Sequence, residues 1–392
     1  MQPSGALFQL VAVGGNNRFF THFNASPSVF DNSRQKKTNF APDTQEIQFT
    51  NNPDFNKTVT CQIPTYGDLL STMFLKVTLP KLDTKKGYFV SWVRNIGHFL
   101  IDRISVKLNG TIIESHSGEY LHINNQLCYK EDTDAYRQLI GDLVSLSCPS
   151  LEIQESTIYI PLQFFFCKKP VLLPIAGSSN VLPMLQKYEI EVKFSSLEKC
   201  IEGRLMNYDE DTHIISSSLY VDYMCLDNEE RKELYSKEQL YNITPINETI
   251  FHSKDNFYDE GIIECKLSSN RIVSELIFII SKDNKMIFDE PTISKVSLIL
   301  NGEYTRNGIQ NADFFNVLEP YKIYNKIPPC GIHLFSFSGM NPDISQGAGT
   351  LNFDRIEKVA LRITTKISGP FKVHIFEKSI NVLSTTRGLL IN

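Results

Sequence analysis

The stretch RISVKLNG at residues 103–110 returns as KVSLILNG at residues 295–302, with Ser, Leu, Asn and Gly in identical places. Both stretches alternate: Ile104, Val106 and Leu108 in the first, Val296, Leu298 and Leu300 in the second. A period of two marks a strand with one buried face. The Asn-Gly pair that follows supplies two residues able to adopt positive φ, so each strand is expected to end in a tight turn, at Asn109-Gly110 and at Asn301-Gly302.

The order of elements around the two stretches repeats as well. Each is preceded by a strongly apolar strand, FLKVTL or ELIFII, and followed at the same spacing by a helical patch starting near residue 118 or 311. Each patch then leads to an aromatic strand, YIPLQFFF or HLFSFS. A chance likeness of eight residues would not carry that order with it, so one structural unit is built twice. Further strand-like runs, among them TVTCQIP, YEIEVKFSS, SSLYVDYMCL, GIIECKLS and PFKVHIFEK, are punctuated by Pro, Gly, Asn and Asp. Helical signals are confined to 118–130 with 134–142, 311–322 and 227–240, the last with Asp227 as N-cap and acidic residues in its first turn. Regular alternation of strand and helix is absent, which argues against a parallel sheet. Each half holds roughly eight strands, a number suited to two packed antiparallel sheets, sandwich or jelly roll.

Composition narrows the chemistry. A net charge of −5 and no basic stripe give no grip on nucleic acid. The 8 cysteines are scattered singly, mostly in apolar runs, which favours a reducing compartment and a role as small hydrophobes. The amino terminus lacks the basic and apolar regions of a signal peptide, and no apolar run approaches the length of a membrane span. The sequons at Asn24, Asn56, Asn109, Asn242 and Asn247 therefore read as chance occurrences in an Asn-rich chain.

No catalytic, metal or cofactor motif emerges. Glu119 and His122 share helical spacing, but a di-iron site needs a second such pair and two further Glu. Gly347-Ala348-Gly349 leads into strand-like sequence, not a helix, and reads as a turn. The histidines form no closely spaced ligand pair, and Asp209-Glu210-Asp211 reads as a solvated loop. The expectation is no enzyme, no metal and no cofactor.

Seven motifs, in order along nearly the whole chain, resemble the double jelly-roll major capsid proteins of nucleocytoplasmic large DNA viruses. They are LVAVGGNNRFFTHFNASPSVF with KKTNFA, then VTCQIPTYGDLL, WVRNIGHFLIDRISVKLNG, YIPLQFFFCKKPVLLPIAG, SLYVDYMCLDNEERKEL, SQGAGTLNFDRIEKVALRI and INVLSTTRGLLIN. The chain departs from the family pattern at Gly347-Ala348-Gly349, where Pro-Ser-Gly is usual, and in the GGNN of its first stretch.

The resemblance implies an all-β chain of two consecutive eight-stranded antiparallel jelly rolls with short helical inserts. The expected layout is an arm at 1–25, a first jelly roll at 26–226, a helical bridge at 227–240 and a second jelly roll at 241–392. Asp227 and Arg231 are the residues expected to matter in the bridge. The resemblance further implies a homotrimeric, pseudo-hexagonal capsomer tiling an icosahedral virion shell and assembled in host cytoplasm. Its partners would be neighbouring capsomers, minor capsid proteins beneath the shell and an internal virion membrane, with no direct contact to nucleic acid. Other readings stay open at this point: a minor or divergent capsid paralogue, a duplicated jelly-roll carbohydrate-binding protein, and a bicupin-like enzyme.

Overall fold

The computed structural model describes residues 39–83, 89–128, 134–167, 171–177, 184–203, 212–236, 240–253, 261–283, 285–305, 310–339, 349–384 and 389–391. The expected arm at 1–25, Asn24, Asp209-Glu210-Asp211 and the first two residues of Gly347-Ala348-Gly349 lie outside them. The chain forms two compact units. The first draws on Met1–Glu119, Thr133–Asn242 and Val382–Asn392, and the second on Tyr120–Asp132 and Ile243–Asn381.

In the first unit the main strands are β1 (Phe40–Gln48), β2 (Thr58–Gln62), β3 (Leu69–Leu79), β4 (Ile101–Leu108), β5 (Thr111–Ser117), β6 (Ser156–Pro161), β7 (Tyr188–Phe194) and β8 (Ser216–Leu226). They pair antiparallel as β1-β8-β3-β6 in one sheet and β2-β7-β4-β5 in the other. Apart from the β4-β5 hairpin, neighbours in each sheet are distant in sequence, the crossed wiring of a jelly roll.

The second unit repeats that wiring. Its strands are β9 (Ile246–His252), β10 (Gly261–Leu267), β11 (Ile272–Lys282), β12 (Ile293–Leu300), β13 (Gln310–Asn311), β14 (His333–Ser336), β15 (Val359–Thr365) and β16 (Lys372–Ser379). The sheets run β9-β16-β11-β14 and β10-β15-β12-β13, position for position the orders of the first unit.

Period-two alternation builds the interiors. Leu75 and Val77 on β3, Val106 and Leu108 on β4, and Ile190 and Val192 on β7 are all buried. In the second unit Leu276, Phe278 and Ile280 pack in one core with Val296, Leu298, Leu361, Ile363, Val373 and Ile375, joining both sheets. Each such side chain contributes about 1.5–3 kcal/mol by leaving water.

Among the described residues the helices longer than one turn are α1 (Gly118–Cys128), α2 (Asp134–Leu139), α3 (Asn228–Ser236) and α4, which opens as a π-helix over Phe314–Leu318 and continues as an α-helix over Glu319–Tyr324. Helix α1 comes directly after a strand of the first unit, yet from Tyr120 onward it belongs to the second. There Tyr120, Ile123 and Leu127 pack with Ile277, Ile279, Leu334 and Phe376, and with Ile323 and Tyr324 of α4. Strand β11 is therefore buried on both faces, Leu276, Phe278 and Ile280 toward one cluster and Ile277 and Ile279 toward the other.

Candidate functional site

The two Asn-Gly turns have one geometry. Asn109 and Gly110 sit at φ 50° and 84°, Asn301 and Gly302 at φ 49° and 90°. Positive φ at both central residues is the form of turn that suits the right-handed twist of flanking strands. Each Asn is also tied to the neighbouring strand. The Asn109 N–H donates to the Lys187 carbonyl at 2.9 Å, and its Oδ1 accepts from the Lys187 N–H at 3.1 Å. Asn301 makes the same two bonds to Lys358, at 2.8 and 3.0 Å. Lys187 immediately precedes β7 and Lys358 immediately precedes β15, so each turn fixes where its neighbour begins.

The equivalence extends inward. Cys61 on β2 pairs with Ile190, and Cys265 on β10 pairs with Leu361, at matching positions of the two units. Both thiols are buried, and burial pushes each up to about 12. Such cysteines act as core hydrophobes, not nucleophiles. All 8 cysteines are free thiols, with Cys148 the exposed one.

The bridge residues act through Asp68, a partner the sequence did not point to. Asp227 is followed by α3, and its carbonyl accepts the first helical bond, from the Arg231 N–H at 2.9 Å. Its carboxylate accepts the Asn228 N–H. The Arg231 guanidinium grips Asp68 with two bonds, Nε to Oδ1 at 2.7 Å and Nη2 to Oδ2 at 3.0 Å, and also donates to the Leu226 carbonyl. Asp68 accepts the Leu226 N–H at 2.8 Å as well. That pairing with Asp68 holds the Arg231 pKa above its ordinary value. Asp68 can come this close because Gly67 precedes it; a Cβ there would lie 2.8 Å from Cβ of Tyr223. The Tyr-Gly-Asp-Leu run thus anchors the end of β8 and the start of α3. The run lies within the VTCQIPTYGDLL motif.

A second ionic site lies in the second unit and was missed. Glu275 on β11 faces Lys378 on β16 and Ser336 on β14, and all three side chains are buried. Lys378 Nζ lies 3.5 Å from Glu275 Oε2, while the Tyr324 hydroxyl donates to the same oxygen at 2.5 Å. The Lys378 ammonium also lies 5.8 Å from the centre of the Tyr324 ring. The charges inside SELIFIIS and IFEKS were its trace in the sequence.

Several candidate polar side chains have structural partners. Glu119 lies 4.0 Å from Lys199, and His122 sits edge-on to Phe288 at 4.7 Å. His98 meets the Tyr136 hydroxyl at 2.9 Å, and His374 meets Glu248 at 2.8 Å. Among the described residues no group of three or more His, Cys, Asp or Glu is placed to hold a metal, and no helix is long and apolar enough to cross a membrane. Of the described sequon asparagines, Asn56 is exposed at φ 60°, Asn109 is in its turn, Asn242 is exposed, and Asn247 is half-buried beside Glu377.

Comparison with known proteins shows the family. Residues 28–227 match the family described as major capsid protein N-terminus, and residues 228–390 match that described as large eukaryotic DNA virus major capsid protein. The chain is 27% identical to a major capsid protein of Pyramimonas orientalis virus, over 98% of each chain. Its fold is similar to PBCV-1 VP54, with a TM-score of 0.78, 19% identity, and 93% of this chain and 99% of that one covered. It is also similar to the Faustovirus major capsid protein, with a TM-score of 0.75, 11% identity, and 91% and 92% covered.

Proposed function

The chain belongs to the major capsid proteins of large eukaryotic DNA viruses, and from that premise we propose that it assembles as a homotrimer in which two similar units per chain form the six walls of one pseudo-hexagonal block. Its function is structural: it builds a virus shell. The duplication carries the proposal. Both units share one strand order and one pinned Asn-Gly turn. Three copies of a doubled unit give six similar sides, and six-sided blocks tile a surface with little strain. Closed rings arise where the contacts between copies are head-to-tail and the rotation closes.

The same reading extends to the rest of the chain. Residues 227–240 connect the two jelly rolls, with Asp227 and Arg231 setting the exit from the first. The arm at 1–25 lies on the inner side of the shell, near minor capsid proteins or an internal membrane. Neighbouring blocks are the lateral partners, the virion is the destination, and assembly takes place in host cytoplasm. The chain carries no catalytic site and takes no cofactor.

Light scattering on the purified full chain tests the central claim. A particle of three times the chain mass of 44.7 kDa is expected. A stable monomer that binds a sugar or one equivalent of metal would overturn it.

A further inference from the structure

Helix α4 carries an apolar stripe on the side turned away from its own unit. Phe315, Ile323 and Tyr324 pack inward. Val317 is 39% exposed, Leu318 42%, and Tyr321 55%, while half-buried Phe314 beside them packs against the core of its own unit. Leu318 and Tyr321 lie three apart where the helix turns α, and Val317 adjoins them, so the three form one exposed patch. Ile327, just beyond the helix, adds a further 54% exposed apolar residue. A cavity of about 330 Å³ opens alongside, lined by Phe314, Glu319, Lys322, Ile323, Ser338 and Gly339. Helix α3 shows the contrast: Asn-Glu-Glu-Arg-Lys-Glu-Leu-Tyr-Ser faces solvent, has no buried residue and is mostly polar.

The first repeat shows what such a helix does. Helix α1 comes after β5 as α4 comes after β13, and each of its residues is buried or half-buried. It lies on the outer face of the β9-β16-β11-β14 sheet, against Ile277, Ile279, Leu334 and Phe376. The counterpart sheet of the first unit, β1-β8-β3-β6, presents Phe74, Lys76, Tyr159 and Tyr220 on its outer positions, none of them fully buried. Tyr159 and Tyr220 meet edge-on at 6.0 Å, and Lys76 Nζ lies 5.6 Å from the centre of the Tyr220 ring. That gives a mixed surface: aromatic rings at Phe74, Tyr159 and Tyr220, with the Glu46 carboxylate bonded to Lys76 and Tyr220 and that of Asp222 bonded to Thr44 and Thr72.

We infer that the exposed patch of α4, Val317, Leu318 and Tyr321, docks on the outer face of the β3–β8 sheet of a second copy of this chain. The contact is head-to-tail, the second unit of one copy on the first unit of the next, and so propagates around a closed ring. The inference rests on the homotrimer proposed above and names the surface that closes it.

Two measurements on the full chain test it. The exposed double substitution Leu318→Glu with Tyr321→Glu is expected to leave the far-ultraviolet circular dichroism unchanged and to weaken self-association at least tenfold. A photoreactive benzoylphenylalanine at Tyr321, in otherwise unaltered protein, is expected to cross-link to a different copy within Leu69–Leu79 or Ser216–Leu226. A trimer indifferent to the double substitution overturns this surface and leaves the trimer standing. So do adducts confined to one chain or mapping to other strands. An unaltered chain that stays monomeric overturns the trimer itself.

Discussion

Asn301 accepts the Lys358 backbone N–H on its side-chain oxygen at 3.0 Å, and Asn109, earlier by 192 positions, accepts that of Lys187 at 3.1 Å. In each unit the Asn does two things at once: it adopts positive φ, and it clamps the turn to the start of the adjacent strand. Asn301→Ala loses the acceptor and keeps the unfavourable φ, and is expected to destabilise the second unit by about 1–3 kcal/mol. Asn301→Gly loses only the acceptor and costs less, and Asn301→Asp, which keeps it, costs least. Urea unfolding of the three variants would give that order; an equal cost for Gly and Ala would show that φ contributes nothing.

Arg231 and Asp68 hold the junction between β8 and α3. Removing the guanidinium by Arg231→Leu leaves a carboxylate that is only 5% exposed. The expected cost is about 2–3 kcal/mol, below that of a fully dry pair because the Arg231 side chain is partly solvated. Gly67→Ala forces a Cβ against Tyr223 and is expected to cost about 1–3 kcal/mol. Trp92 is the chain's single Trp, is buried, and lies in the first unit, so its fluorescence reports on that unit. Both substitutions should lower the denaturant midpoint of the tryptophan transition.

The duplication was legible because its signals are local. Asn-Gly after an alternating strand needs no knowledge of the rest of the chain, and the eight-residue match fell on equivalent strands. The VTCQIPTYGDLL motif was visible, but the Arg partner of its Asp68 lies 163 positions away, and sequence spacing says nothing about such a pair. Two features were hidden for physical reasons. Strand β11 is covered on both faces, so ELIFII reads as a continuous apolar run with no alternation to say which residue faces which cluster. The placement of α1 in the second unit was equally illegible. An amphipathic pattern shows that a helix buries a face, not which sheet receives it.

The Glu275–Lys378 pair is 0% and 1% exposed, so each charge depends on the other. Lys378→Met strands the carboxylate and is expected to cost about 3–5 kcal/mol. Adding Glu275→Gln removes the charge and keeps an oxygen to accept the Tyr324 hydroxyl, and should recover more than half of that loss. Hydrogen exchange of the β11 and β16 amides would report both effects within the second unit. A double variant as unstable as the single one would show that the ion pair itself, not the stranded charge, sets the cost.

His333 links the second unit to pH. Its ring stacks on Phe278 at 5.4 Å, and its Nδ1 donates to the Gly331 carbonyl at 3.1 Å, which leaves the proton of the neutral ring on Nδ1. Burial lowers its pKa from 6.5 to about 4, opposed by that backbone bond. The folded state therefore resists protonation while the unfolded chain accepts it. Stability from this residue is complete above pH 6.5 and drains away as pH falls toward 4. A depression of that size corresponds to about 3 kcal/mol. His333→Gln cannot titrate, so between pH 7 and pH 4 the unaltered protein should lose about 3 kcal/mol more than the variant. Denaturant unfolding at the two pH values measures the difference directly. Equal losses in both proteins would mean that the buried ring does not govern the acid sensitivity of this unit.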